Sequence, residues 1–111
     1  MQIFTFYRLQ PGADVEAFKE FSRNIDQPAC RAKPVCQRFE VYIGANGTGD
    51  DPRPIVIEDV EATSLQEWDA ATSAPDHAQV MAQWRKFADP DPLVTIECEL
   101  ISLVARTRAG D

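Results

Sequence analysis

The stretch Ile3-Phe4-Thr5-Phe6-Tyr7-Arg8-Leu9 is β-branched and aromatic and stops at Pro11-Gly12, which predicts a strand. Alternation puts Ile3, Tyr7 and Leu9 on one face and Phe4 and Phe6 on the other. Both faces are apolar, so the strand belongs at the centre of a sheet with cover on each side.

Working outward, Asp14 is a good N-cap, and Val15, Phe18, Phe21, Ser22 and Ile25 form a helical stripe that ends near Pro28. Residues 36–43 alternate, with Phe39, Val41 and Ile43 pointing one way and Arg38, Glu40 and Tyr42 the other. The Gly-, Pro- and Asp-rich segment 44–54 reads as a long, mobile hairpin loop leading into a third strand over 55–61. Ser64 and Glu67 make a capping box for a helix that buries Leu65, Trp68 and Thr72. Ser73-Ala74-Pro75-Asp76 restarts that helix, whose stripe is His77, Val80, Met81, Trp84, Phe87 and Ala88 and whose stop is Asp89-Pro90-Asp91-Pro92. A last strand runs over 93–104, with Val94, Ile96, Cys98 and Leu100 on one face and Thr95, Glu97, Glu99 and Ile101 on the other.

The order β-α-β-β-α-β predicts a ferredoxin-like α+β fold, one domain over residues 1–105 with a frayed tail at 106–111. Helices cover one face of such a sheet. The apolar second face calls for another copy of the chain, sheet against sheet, giving a homodimeric α+β barrel. The pocket is then expected between the sheet and the partner.

The chain has 111 residues, enough to bury roughly 65% of the surface exposed on unfolding. Its net charge of −7 argues against nucleic acid and against anionic membrane surfaces, and no run approaches the length of a membrane span. With neither a signal segment nor paired cysteines, the expected setting is the cytoplasm, where Cys30, Cys36 and Cys98 stay reduced thiols. A single histidine excludes a 2-His-1-carboxylate iron site, and the glycines of 44–49 precede a strand, so they cannot form a nucleotide loop. No metal and no cofactor is expected.

Chemistry therefore falls to acid–base groups. Glu40, Glu58, Glu97 and Glu99 lie on predicted strands, and carboxylates crowded in a dry cavity raise one another's pKa. Against this stands the plainer reading that they ring a wet barrel mouth or pair with Arg8 and Arg38. His77 sits on the inward stripe of its helix, where a neutral imidazole accepts a proton. Tyr42 and Trp84 are candidate aromatic walls, and Trp68 and Phe6 read as core.

Several segments, taken in order, resemble the RedY-like (HapK-like) proteins of prodiginine and bisindole pathways. They are Ile25-Asp26-Gln27-Pro28-Ala29-Cys30, Arg38-Phe39-Glu40-Val41-Tyr42, Ile57-Glu58, Trp84-Arg85-Lys86-Phe87-Ala88-Asp89 and Ile96-Glu97-Cys98-Glu99-Leu100. The resemblance implies a dimeric α+β barrel and a cofactor-independent cyclase that steers a reactive tryptophan-derived (bisindole) or pyrrole-type intermediate. It implies acidic site positions at Glu58 and Glu99. On this reading His77, Glu58 and Glu99 are catalytic, and Glu97, Tyr42, Glu40, Trp84 and Arg8 bind a small indole-type ligand. A binding barrel without chemistry and a cofactor-free monooxygenase are the alternatives that the same fold hosts.

Overall fold

The computed structural model describes residues 1–45 and 47–102. The tail expected at 106–111 lies outside them. The strands are β1 (Gln2–Leu9), β2 (Cys36–Gly44), β3 (Ile55–Ala62) and β4 (Ala88–Cys98), in one sheet of order β2-β3-β1-β4. All three pairings are antiparallel, so the fold is ferredoxin-like α+β with β1 in the interior of the sheet.

The first helical segment is continuous but not uniform. α1 (Val15–Phe21) runs into a π turn (Ser22–Asp26) and then α2 (Gln27–Arg31). Asp14 caps α1 by accepting the Ala17 N–H at 3.0 Å. The helix was expected to end near Pro28, whose ring clashes with the carbonyl one turn back in a regular helix. The wider π turn, closed by the Gln27 N–H on the Ser22 carbonyl, precedes Pro28 and lets the chain continue helically to Arg31. The second helical segment comprises α3 (Leu65–Thr72), a 3₁₀ turn (Pro75–His77) and α4 (Ala78–Trp84). Ser64 caps α3 through the Glu67 N–H, whereas the restart at Pro75 has no side-chain cap.

β4 begins five residues earlier than position 93, passing through Asp89-Pro90-Asp91-Pro92. An edge strand tolerates this, because the prolines' missing N–H groups need face no neighbour. The 44–54 loop is tied down in its described part. Arg53 bridges Asp51 and Asp89 at 2.7 Å each, and Arg8 donates to the Arg53 carbonyl at 2.7 Å.

The helix-facing side of the sheet carries two apolar clusters. One gathers Tyr7, Leu9, Phe18, Phe21, Val56 and Trp84; the other gathers Ile3, Cys30, Phe39, Val60 and Trp68. Between them runs a polar row, Glu58–Thr5–Thr95, in register across β3, β1 and β4. The outer face carries Phe4, Phe6, Val94 and Ile96, the last two 44% and 46% exposed.

Phe39 is 1% exposed and packs on Trp68 with ring centroids 5.8 Å apart. Phe39→Ala is expected to cost about 3–5 kcal/mol of unfolding free energy in urea titration. Leu100→Ala, at an 86% exposed position, should stay within about 0.5 kcal/mol of wild type. Equal effects would contradict the placement of the core.

Candidate functional site

The polar row opens into a cavity of about 660 Å³ between the inner face of the sheet and the helices. This corrects the expected location, since the cavity lies on the helix side and not against a partner's sheet. Thr5 and Tyr7 come from β1, Glu58 from β3, and Thr95 and Glu97 from β4. Asp26 and Cys30 enter from the π turn and α2, Trp68 from α3, His77 from the 3₁₀ turn and Trp84 from α4.

The π turn decides what the first helix contributes. A regular helix places Ile25 on the inward stripe, but the extra residue of the π turn rotates the face by one position. Ile25 is accordingly 38% exposed, while Asp26 and Cys30 are 6% and 3% exposed. The Cys30 thiol donates to Asp26 Oδ1 at 3.6 Å. Across from them the Tyr7 hydroxyl donates to Glu58 Oε2 at 3.2 Å, and the Tyr7 ring meets Trp84 edge-on with centroids 5.0 Å apart. His77 is 2% exposed, and among the described residues its imidazole makes no hydrogen bond.

These groups share one low-dielectric space, and each shifts accordingly. Burial, reinforced by the nearby Asp26 charge, pushes the Glu58 carboxyl up to about 8 against the opposing Tyr7 hydrogen bond. The surface that Glu58 retains opens into the cavity. Burial pushes Asp26 up to about 6, with the Cys30 hydrogen bond working the other way. The Cys30 thiol is raised by burial and by the Asp26 and Glu58 charges, and the Tyr7 phenol by burial and Glu58. Burial, aided by Lys33, lowers His77 and keeps it a neutral imidazole, with Asp76 opposing. The site thus holds a carboxylic acid that keeps its proton near neutral pH, beside a carboxylate and a neutral imidazole, an acid–base pairing set by environment.

Asp26, Cys30 and His77 also bring one donor atom each to within 4.8 Å of one another, a set of mixed hardness able to contact a zinc-class ion. No metal is expected here from the sequence, because sequence distance does not show the π turn set against the 3₁₀ turn.

Of the residues chosen from sequence, His77, Glu58, Glu97 and Trp84 line the cavity. Glu97 stands at its rim, where Oε1 accepts the Leu65 N–H at the start of α3 at 3.1 Å. Glu99 does not line the cavity; it lies past the end of β4, exposed. Tyr42, Glu40 and Arg8 are not brought to it either. Tyr42 and Glu40 pair in register with Ile57 and Asp59, on the outer face of the sheet. Tyr42 is 55% exposed, Glu40 accepts from Arg38 at 2.9 Å, and Arg8 sits 3.5 Å from Asp51. Tyr7, Asp26 and Cys30 were missed as site residues. Tyr7 alternates as core, and Asp26 falls off a 3.6-residue stripe; a buried Asp four residues before a buried Cys was the available signal.

Three solved structures place this architecture among known proteins. HapK from Hahella chejuensis superposes with a TM-score of 0.67 at 21% identity, covering 94% of this chain and 98% of its own. A dimeric ferredoxin-like protein from Bacteroides fragilis gives 0.58 at 16% identity, covering 89% of this chain and 94% of its own. A putative antibiotic biosynthesis monooxygenase from Deinococcus radiodurans gives 0.60 at 14% identity, covering 94% and 99%. No curated protein matches the sequence. No helix of the described residues is long and apolar enough to cross a membrane. The family model for the REDY-like protein HapK matches residues 1–100, and the chain belongs to that family.

Proposed function

We propose that the protein is a cofactor-independent cyclase acting on a tryptophan-derived (bisindole) or pyrrole-type intermediate. The observation that carries this reading is Glu58: a carboxyl without a basic partner among the described residues, hydrogen-bonded to Tyr7 in a cavity walled by Trp68 and Trp84. A protonated acid beside a neutral base suits a reaction that begins by protonating an imine and ends by losing a ring proton. Glu58 gives its proton to the imine nitrogen, and a ring carbon of the second heterocycle attacks the iminium carbon, forming a carbon–carbon bond. His77 takes the proton released as the ring regains aromaticity and returns it to Glu58. The overall step is an isomerisation that needs no oxidant. The aromatic walls hold the two rings together, which can supply much of the rate. For an intermediate that reacts on its own, a bias of roughly 3 kcal/mol is enough to dominate the product mixture.

The working unit in this reading is a homodimer. Phe4, Phe6, Val94 and Ile96 form an apolar patch on the outer face, and a structural neighbour is itself dimeric. Ile96→Glu is expected to convert a dimer to a monomer in light scattering at matched concentration. A monomeric wild type would remove the dimer from the proposal.

The direct test generates the coupled indolepyruvate-imine intermediate in place with upstream enzymes and reads products by mass spectrometry. Wild type should divert the intermediate to a new cyclised product without extra oxygen uptake. Glu58→Gln and His77→Ala should lose about 100-fold or more of that product, while Glu99→Gln keeps it. A profile unchanged by wild type removes the cyclase, and added oxygen consumption favours the monooxygenase.

Stability should report the same buried acid. Between its ordinary value of 4.5 and its folded value of about 8, Glu58 holds a proton in the native state that the unfolded chain has released. The unfolded state binds fewer protons there, so stability falls as pH rises through this window, by up to about 1.4 kcal/mol per pH unit for one group. Glu58→Gln should flatten the decline in urea midpoints between pH 5 and 8. Because Asp26, His77 and the Arg53-bound carboxylates are common to both proteins, identical pH slopes would mean Glu58 is not held protonated.

A further inference from the structure

We infer that the cavity floor reads the positively charged end of its occupant and turns away a carboxylate on the same ring system. This rests on the aromatic-heterocycle reading above and narrows it. The acids lining the cavity are Asp26, Glu58, Asp69 and Glu97, and no Lys or Arg lines it among the described residues. The arginines nearest in the sheet are engaged elsewhere. Arg38 is on Glu40 and Asp59, Arg53 on Asp51 and Asp89, and Arg8 on Asp51 and the Arg53 carbonyl.

A second observation concerns the floor. The His77 imidazole is 2% exposed, lines the cavity, and is without a hydrogen-bond partner among the described residues. A buried neutral imidazole without a partner has one ring nitrogen free to accept and one N–H free to donate, so it can meet a donor on the occupant without itself adding positive charge. Asp26 adds a second acceptor, with a carboxylate oxygen and a His77 ring nitrogen both within the 4.8 Å cluster. An ammonium or an iminium can donate to both and brings a charge that Asp26 compensates, and the aromatic rings of Trp68 and Trp84 in the wall stabilise a cation further. A carboxylate brought to the same place would be desolvated against the like charge of Asp26, while Lys33, the cation felt by His77 and Cys30, does not line the cavity. An intermediate that carries both kinds of group therefore enters imine end first and leaves its carboxylates at the wet rim.

The test uses three indoles with side chains of equal length: tryptamine (cationic), tryptophol (neutral) and indole-3-propionate (anionic). Binding to the full chain is measured by equilibrium dialysis at pH 7. The expected order is tryptamine, then tryptophol, then indole-3-propionate, with about 10-fold or more between the first and last. Asp26→Asn should narrow that ratio by weakening tryptamine relative to indole-3-propionate. Equal affinities, or tighter binding of the anion, overturn the inference and leave the aromatic reading standing, because rings still bind. No binding by any of the three overturns both. A ratio untouched by Asp26→Asn also overturns it, since the selectivity would then arise outside the cavity acids.

Discussion

The site depends on one irregularity, the π turn at Ser22–Asp26. A helix of uniform pitch over residues 15–31 aims Ile25 at the sheet, and the space now occupied by the cavity would close over an apolar side chain. One added residue rotates α2 so that Asp26 and Cys30 face inward instead. The same turn relieves the helix of Pro28, whose ring a regular segment does not accommodate. Single π turns recur where a helix must deliver a polar group that its periodicity would misplace. Here the delivered group is a carboxylate whose charge adds to burial in raising the Glu58 carboxyl.

The sheet prepares the complementary half. The row Glu58–Thr5–Thr95 interrupts an otherwise apolar inner face and keeps the Phe39–Trp68 cluster apart from the Tyr7–Trp84 cluster. Thr5 and Thr95 satisfy each other through their hydroxyls at 3.0 Å, so that row is not a defect awaiting water. Glu58 is different in kind. Its one hydrogen bond is from a phenol, and it stays buried by remaining neutral. That costs stability at alkaline pH, a cost tolerated at sites whose chemistry needs a displaced pKa.

The architecture was legible because period-2 and period-3.6 patterns are carried by many residues at once. The both-faces-apolar reading of Ile3 to Leu9, the hairpin of β2 and β3, and the caps at Asp14 and Ser64 all stand in the structure. Within the site, Glu58, His77, Glu97 and Trp84 were within reach because strand alternation and a helical stripe point them inward. The pocket's side of the sheet was not legible. Tyr42 and Glu40 alternate correctly, but the face they occupy is the outer one. Asp26 and Cys30 escaped notice because a π turn leaves no compositional mark, and β4 was started late because prolines read as a stop unless the strand is at an edge.

The two faces of the sheet treat carboxylates in opposite ways. On the outer face and at its margin, Glu40, Asp59, Asp51 and Asp89 each have a guanidinium within 3.0 Å. Asp51 and Asp89 are thereby held below the ordinary carboxylate range, so they stay ionised and neither donate nor accept a proton near neutral pH. On the inner face, Glu58 and Asp26 have no such partner among the described residues; burial raises both, and the Asp26 charge raises Glu58 further. Among the described residues, the same side chain is thus fixed as an ion where arginine meets it and left open to its neutral form where none does. The placement of the arginines, more than that of the acids, sets the two faces of the sheet apart.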